Sequence, residues 1–297
     1  MKYQTRFASG WVGGGYVDTP NGFRTPWSWW CGSRERLVSG RVGAAGAGWV
    51  WFGGREALVG SGQKVAIITG ASGGIGGALV AAYRGLGYAV TATDRAAPVS
   101  GDSGVLSVAA DVTEAGAGDR VVGATLERFG RVDTLVNGAG VFVSKPFVEY
   151  TDEDFELVVG VNVRGFFEVT RSVIAAMISR EGEGGGHVVN ISSTLVENAD
   201  AAVSGALTSL TKGGLNGVTK SLAIEYATRG VRVNAVSLGV IRTPMHPTDP
   251  GGFQAARHPV GRMGEVDDVL RAVLYLEQAP FVTGEISHVD GGQSAGH

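Results

Sequence analysis

From Gln63 onward the chain alternates two hydrophobic patterns. Short apolar runs rich in β-branched residues fall at 65–69, 89–93, 105–109, 134–136, 188–191, 232–236 and 285–289. Between them, near 74–86, 114–129, 152–180, 208–229 and 265–277, apolar residues recur every three or four positions. A continuous apolar run of strand length suits a strand buried on both faces, and amphipathic helices between such runs supply the two covers. The pattern predicts one doubly wound parallel-sheet α/β domain of the Rossmann type. Thr151, followed by Asp152, Glu153 and Asp154, predicts a helix start, because the hydroxyl can cap free N–H groups and acids suit the positive end of the helix dipole.

The first 62 residues break this pattern. All six tryptophans (Trp11, Trp27, Trp29, Trp30, Trp49, Trp51) and the single cysteine, Cys31, lie before residue 52, and residues 1–62 carry seven Lys/Arg against three Asp/Glu. Gly13-Gly14-Gly15 and Gly53-Gly54 interrupt any helical or alternating period, and the segment lacks the continuous apolar core of a secretory signal. It reads as an N-terminal extension, either a product of an upstream start assignment or a poorly ordered tail, with a small accessory domain as the alternative. The 235 residues from Gln63 to the end suit a complete domain.

Composition narrows the possibilities. With 297 residues, 44% hydrophobic, 18% charged and a net charge of −3, the chain has no electrostatic case for nucleic acid as partner. No apolar stretch reaches the ~20 residues that span a bilayer, so no membrane partner is expected. One cysteine permits no intramolecular disulfide and fits a reducing, cytoplasmic setting. No metal site is expected.

Residues 69–76 read T-G-A-S-G-G-I-G, directly after the first apolar run. A strand turning through glycines into a helix is an anion site: the helix start offers unpaired N–H groups and partial positive charge, and glycine lets a pyrophosphate approach the backbone. The chain holds 49 glycines, so the triplet gains weight from its setting, with an amphipathic helix after it and an acid, Asp94, at the next strand end, 18 residues past Gly76. Gly70, Ser72, Gly74, Ile75 and Gly76 are therefore candidate cofactor contacts. A carboxylate at Asp94 can accept from both ribose hydroxyls of an adenosine and repels a 2′-phosphate, which favours NAD(H). Arg95 argues the other way, since a guanidinium can hold a phosphate, unless it stacks on adenine or faces solvent.

The spacing T-G-x-x-x-G-I-G resembles the short-chain dehydrogenase/reductase family, and the resemblance extends from about Lys64 to the C-terminus. It implies a nicotinamide cofactor, hydride exchange with a small-molecule alcohol or carbonyl substrate, and a homo-oligomer, usually a tetramer. Ala110-Asp111-Val112 matches the family's adenine-contacting segment, with a helix cap as the plain alternative for Asp111. Asn137-Gly138-Ala139-Gly140 matches its N-N-A-G segment, with Gly in place of the second Asn, and Asn137, Ala139 and Gly140 carry either a structural or a cofactor role. Ser237-Leu238-Gly239 stands where relatives carry Pro-Gly. Gly239 keeps the close backbone approach, and the Ile241 backbone and Thr243 hydroxyl are expected to hold the carboxamide.

The resemblance also assigns catalytic residues. Ser193, second of the pair in Val188-Val189-Asn190-Ile191-Ser192-Ser193, is the residue that bonds the substrate oxygen. Asn162, in Val161-Asn162-Val163-Arg164-Gly165, holds a relay water, unless it is a helix-bending residue bonded to backbone. Lys212, in Thr211-Lys212-Gly213-Gly214-Leu215-Asn216, is the active-site lysine that binds the nicotinamide ribose. The family's tyrosine belongs one turn earlier, and that position is Thr208. Phenol ionises near pH ~10 and a nearby cation can lower it, whereas an aliphatic hydroxyl does not ionise in any accessible range. Tyr226, 14 residues past Lys212 and ~21 Å along a helix, is too far to substitute. His246, in Thr243-Pro244-Met245-His246-Pro247, is a second source of acid–base capacity, with a solvent-facing loop histidine as the alternative. Two functions from different classes follow: an NAD(H)-dependent oxidoreductase, and a catalytically idle dinucleotide-binding protein serving as redox sensor or oligomer partner.

Overall fold

The structure, a computed structural model, describes residues 16–18, 24–26, 63–180 and 185–296. The chain divides into two compact units, Met1–Ala57 and Leu58–His297. In the first, β1 (Tyr16–Asp18) pairs antiparallel with β2 (Arg24–Pro26). No element was expected there. The rest of the expected extension and its boundary at residue 62 lie outside the described residues.

The second unit is built on a seven-stranded sheet. Its strands are β3 (Val65–Thr69), β4 (Ala89–Asp94), β5 (Val105–Ala109), β6 (Thr134–Asn137), β7 (Gly186–Ser193), β8 (Val231–Leu238) and β9 (Ile286–Val289), ordered β5-β4-β3-β6-β7-β8-β9. Every neighbouring pair is parallel. Successive strand residues point to opposite faces, so the sheet feeds two cores. Ala66, Ile68, Val236 and Leu238 pack with Leu79 and Tyr83 of α1 (Gly74–Gly85) and Val269, Val273 and Leu276 of a later helix, Val266–Gln278. Ile67, Leu135, Val231 and Val233 pack on the other side with Val121 of α2 (Ala117–Phe129) and Val169, Val173 and Met177 of a helix at Phe166–Ile178. The doubly wound parallel sheet is as the hydrophobic runs predicted. The chain moves outward from β3 to β5, then returns to place β6 on the other side of β3, which creates a switch point at the carboxyl ends of β3 and β6.

The helices depart from expectation at their ends. The stretch expected at 114–129 starts as a helix at Ala117, because Gly116 has φ +76°, a left-handed conformation that a helix cannot pass through. The stretch at 152–180 is three elements: α3 (Asp152–Val159), a π-helical segment (Gly160–Gly165) and α4 (Phe166–Ile178). Thr151 caps α3 as expected, its side chain accepting from Asp154 N while Asp154 reaches back to the Thr151 N–H. The stretch at 208–229 is α5 (Ala206–Glu225) with a short turn after it, and a small helix not anticipated, α6 (Phe253–Ala256), precedes α7 (Val266–Gln278).

At the amino ends of β6 and β7, Glu277 of α7 gathers four donors. Its carboxylate accepts from Tyr83 Oη (3.1 Å), Tyr88 Oη (2.8 Å), Thr134 Oγ1 (3.1 Å) and His187 Nδ1 (2.9 Å). Asn234 Nδ2 donates to His187 Nε2 at 3.0 Å, which fixes the neutral imidazole with its proton on Nδ1. Burial alone would raise the Glu277 pKa, but the donors, His187 foremost, hold it below 4.5. Burial likewise keeps the His187 pKa below 6.5. Both depressions place the loss of stability on the acid side. The unfolded chain takes up protons at His187 below pH ~6.5 and at Glu277 below ~4.5, while the native state resists both. Glu277→Ala leaves the four donors without their acceptor and should cost at least about 1–3 kcal/mol, the worth of a buried donor left unsatisfied, read as a lowered urea midpoint at pH 7. A midpoint within error of the unmutated protein would show that the cluster is not an anchor.

Candidate functional site

At the switch point the chain packs backbone against backbone. Gly70, at φ +70°, ends β3, and a Cβ there would come within 2.8 Å of Ala139 N. Thr69 Oγ1 accepts from both Gly138 N and Ala139 N, each at 3.1 Å. A Cβ at Gly138 would meet Thr69 O at 2.7 Å, so the glycine at the family's second Asn position suits this contact. A Cβ at Gly76 would stand 2.1 Å from Gly70 O, which lets α1 start directly over the turn. The N-cap of α1, Gly73, supplies no side-chain cap, and its first turn holds no acid. The first N–H groups of α1 are therefore left to whatever occupies the space in front of them.

That space is a cavity of about 1240 Å³. Of the residues expected to touch cofactor, Gly70, Ser72, Gly74, Ile75, Gly76, Asp94, Arg95, Asp111, Val112, Ala139, Gly140, Gly239, Ile241 and Thr243 line it, and so does His246. Asp94 is fixed at its rim, Oδ2 accepting from Ser72 N (3.0 Å) and Oδ1 from Arg95 N (2.8 Å). Asp111 Oδ1 accepts from Thr113 N (2.9 Å) and Thr113 Oγ1 (2.7 Å), bonds that lower its pKa. It thus closes a turn ahead of Gly116 rather than capping α2. Pro244 and Thr243 pack over Gly74, where a Cβ would approach Pro244 Cδ at 2.9 Å. The wall formed by Leu157, Val163 and Phe167 was not anticipated. No local motif marks it, since α3 and α4 reach the cavity through packing alone.

Five expected residues are not part of this lining: Asn137, Asn162, Ser193, Thr208 and Lys212. Asn137 Nδ2 donates to Thr170 Oγ1 and Asn190 Oδ1, both at 2.9 Å, and Asn190 Nδ2 passes the chain on to Thr219 Oγ1 at 2.9 Å. Its side chain ties β6 to β7 and α4. Asn162, within the π-helical segment, accepts from Val141 N (2.9 Å) and donates to Val141 O (3.0 Å) and Thr211 Oγ1 (3.1 Å). It locks the 140–141 turn to α5. Lys212 is buried at 8% exposure and donates to Ile191 O at 2.7 Å. A Cβ on Gly140 would lie 3.1 Å from its Nζ and 3.5 Å from Asn162 Oδ1, so the glycine leaves these groups room. Burial brings the Lys212 pKa down to about 8. Ser193 Oγ accepts from Leu195 N at 3.3 Å. Thr208 is 4% exposed, and its Oγ1 has no hydrogen-bond partner among the described residues.

The layered fold with a glycine-lined cleft at its switch point is that of a Rossmann-type α/β protein. A family model described as enoyl-(acyl carrier protein) reductase matches residues 70–294. An uncharacterized oxidoreductase of Schizosaccharomyces pombe is 35% identical over 243 residues, covering 79% of this chain and 92% of that protein. The 3-oxoacyl-[acyl-carrier-protein] reductase of Thermotoga maritima is 34% identical over 77% of this chain and 97% of its own length. Among solved structures, 3-ketoacyl-(acyl-carrier-protein) reductase from Brucella melitensis complexed with NADH aligns at TM-score 0.72 and 34% identity, covering 78% of this chain and 98% of that one. The chain belongs to the short-chain dehydrogenase/reductase family.

Gly76→Ala tests the packing of the turn. Its Cβ collides with the Gly70 carbonyl, a backbone atom that cannot swing away. Overpacking of this kind costs about 1–3 kcal/mol, which for a domain of this size lowers Tm by roughly 2–12 °C. An unchanged melting curve would mean that the turn is not held where the structure has it.

Proposed function

We propose that this protein is an NAD(H)-dependent oxidoreductase that exchanges hydride with a small alcohol or ketone. The observation that carries the reading is the cavity, which joins the uncapped start of α1 to the 239–243 segment across the switch point. Bound there, the nicotinamide supplies or accepts the hydride. Family membership supports the reaction class, and the Brucella melitensis relative was solved with NADH. ElxO, 26% identical, was solved with NADP, so the choice between cofactors rests on this chain's own residues. Asp94, held by two backbone donors, faces the position of a 2′-phosphate, and two like charges at such range cost on the order of a few kcal/mol. Asp94→Ala should weaken NADH binding and narrow the preference over NADPH in fluorescence titrations. Equal or better NADPH affinity in the unmutated protein overturns the NAD assignment and promotes Arg95.

The chemistry on the substrate side is assigned as follows. Ser193 Oγ accepts from Leu195 N, which leaves its own proton to donate to the substrate oxygen. Lys212 uses one N–H on Ile191 O and keeps the others for the cofactor ribose and for proton transfer, directly or through a water near Asn162. Thr208 supplies no ionisable group, so the general acid of the family is missing. His246, half-buried on the cavity wall with its pKa pushed down by burial and then by Arg257, is the second proton-transfer group. Exposed apolar side chains outside the cavity lining, Phe147, Val148 and Phe155, support a homo-oligomer, with a tetramer expected by family resemblance.

Ketone reduction needs a proton donor, so its rate should fall as pH rises through about 8, where Lys212 loses its proton. NADH oxidation across pH 6–10 by absorbance checks this, with Lys212→Met and His246→Asn beside the unmutated protein. Retention of the alkaline fall in Lys212→Met refutes the lysine assignment, and an unchanged kcat and pH profile in His246→Asn removes that histidine from the reaction. Restoring a phenol with Thr208→Tyr should raise turnover by roughly 10²–10⁴, the ordinary worth of a placed general acid. Tight NADH binding with no turnover in any variant would instead support the idle binder.

A further inference from the structure

We propose that neutral His258 is the positioning residue for the 239–241 wall of the dinucleotide cavity, so that protonating its imidazole releases the wall and weakens dinucleotide binding. The inference rests on the dinucleotide reading above. His258 follows α6, outside the motifs that carry the resemblance, and is buried at 3% exposure. Its Nε2 accepts from Val240 N at 3.0 Å, and its Nδ1 pairs with Gln254 O at 2.9 Å. A carbonyl oxygen only accepts and an amide N–H only donates, so the tautomer is determined: proton on Nδ1, lone pair on Nε2. Both ring nitrogens are thereby committed, and the ring cannot exchange tautomers without losing a bond at each end.

The wall that His258 supports is Gly239, Val240 and Ile241, of which Gly239 and Ile241 line the cavity. Among the described residues its other hydrogen bonds run backbone to backbone, Gly239 N to Val289 O at 3.1 Å and Gly264 N to Val240 O at 2.9 Å, while the Ile241 side chain is buried in the core. His258 supplies the side-chain hydrogen bond to this wall among the described residues. The glycine at 239 belongs to the same arrangement, since a Cβ there would stand 2.6 Å from His258 Nε2 and 2.9 Å from its Cδ2. Gly239 therefore makes room for the imidazole behind the wall as well as for a ligand in front of it.

A second proton on Nε2 would point at the Val240 N–H, turning an acceptor into a donor that faces a donor. The charged groups around the ring do not compensate. Arg257, on the same turn, opposes protonation and pairs with Asp200 at 2.9 Å. Asp290, just after β9, favours protonation, but its oxygens accept from Gly292 N at 2.9 Å and Ser294 N at 2.8 Å. Burial is the largest influence and holds the pKa below 6.5, so the neutral form prevails at neutral pH and the loss falls on the acid side.

The test is NADH and NADPH titration of the full chain by nicotinamide fluorescence from pH 5.0 to 7.5, with far-UV spectra recorded at each pH. The unmutated protein should lose affinity below pH ~6.5, as the histidine acquires its second proton, while its spectrum stays native. His258→Leu, which keeps bulk and removes the acceptor, should weaken NADH binding on the order of tenfold at pH 7.5, the worth of one buried N–H left unpaired. His258→Gln, whose Oε1 can reach the Val240 N–H, should bind nearly as the unmutated protein does at pH 7.5 and lose the acid limb. It also keeps the fold within reach if His258→Leu fails to fold. An acid limb that persists in His258→Gln belongs to another group, His246 above all, and overturns the proposal. A flat profile in the unmutated protein overturns this inference alone, whereas no binding of either dinucleotide at any pH overturns the dinucleotide reading and the inference with it.

Discussion

Thr69-Gly70 and Gly138-Ala139 lie so close that a methyl group on either glycine would strike the opposite backbone. The approach is closed by one hydroxyl, Thr69 Oγ1, which accepts from two successive amides. Everything at the carboxyl edge of the sheet follows from it. With β3 and β6 held in contact past the end of their ladder, α1 can begin directly over Gly70, and the cavity opens between that helix start and the 138–141 turn. A side chain at 70 or 138 would push these two backbones apart, and one at 76 would push α1 off the turn.

Behind the cavity, polar side chains hold the sheet and helices in one arrangement. Asn137, Asn190, Thr170 and Thr219 run a hydrogen-bonded line across β6, β7, α4 and α5. Asn162 bonds both backbone groups of Val141 and reaches Thr211, one residue before Lys212. The π-helical segment explains how it can. An extra residue in the turn shifts the helical face at Gly160–Gly165 and presents Asn162 inward without ending the helix. A straight α-helix through 152–178 would carry the same side chain to a different bearing. At the far end of the sheet, Glu277 does comparable work for the amino ends of β6 and β7.

Thr208 stands apart from the other residues to which the resemblance assigns catalysis. Ser193, Lys212 and Asn162 each hold at least one hydrogen bond, whereas Thr208 is buried with its hydroxyl unpaired among the described residues. A buried hydroxyl without a partner carries a desolvation cost that the fold must offset elsewhere. Lys212 gains from the surroundings what Thr208 lacks. Removed from water, its ammonium is less favoured, and its titration moves to where a proton can be exchanged near neutral pH.

By itself the sequence determined the alternation of strands and helices, the direction of the sheet, the glycine turn and the cap at Thr151. Each of these rests on interactions within a few residues, and a period of two or 3.6 records them directly. Its glycine turn and the motifs it shares with the family also marked many of the residues that line the cavity. Tertiary structure alone decided the rest. Gly116 stopped α2 short, and a π-helical segment split the long helix in two, although its hydrophobic period runs through unbroken. Glu277 and His187 are 90 residues apart in the chain, and His258 reaches Val240 across 18, so no local pattern announces either contact. Asn137 could line a cofactor or brace a sheet as far as its neighbours in sequence reveal, and only the position of Thr170 and Asn190 committed its amide to the sheet. A side chain's chemistry is written in the sequence, but its partner is chosen by packing.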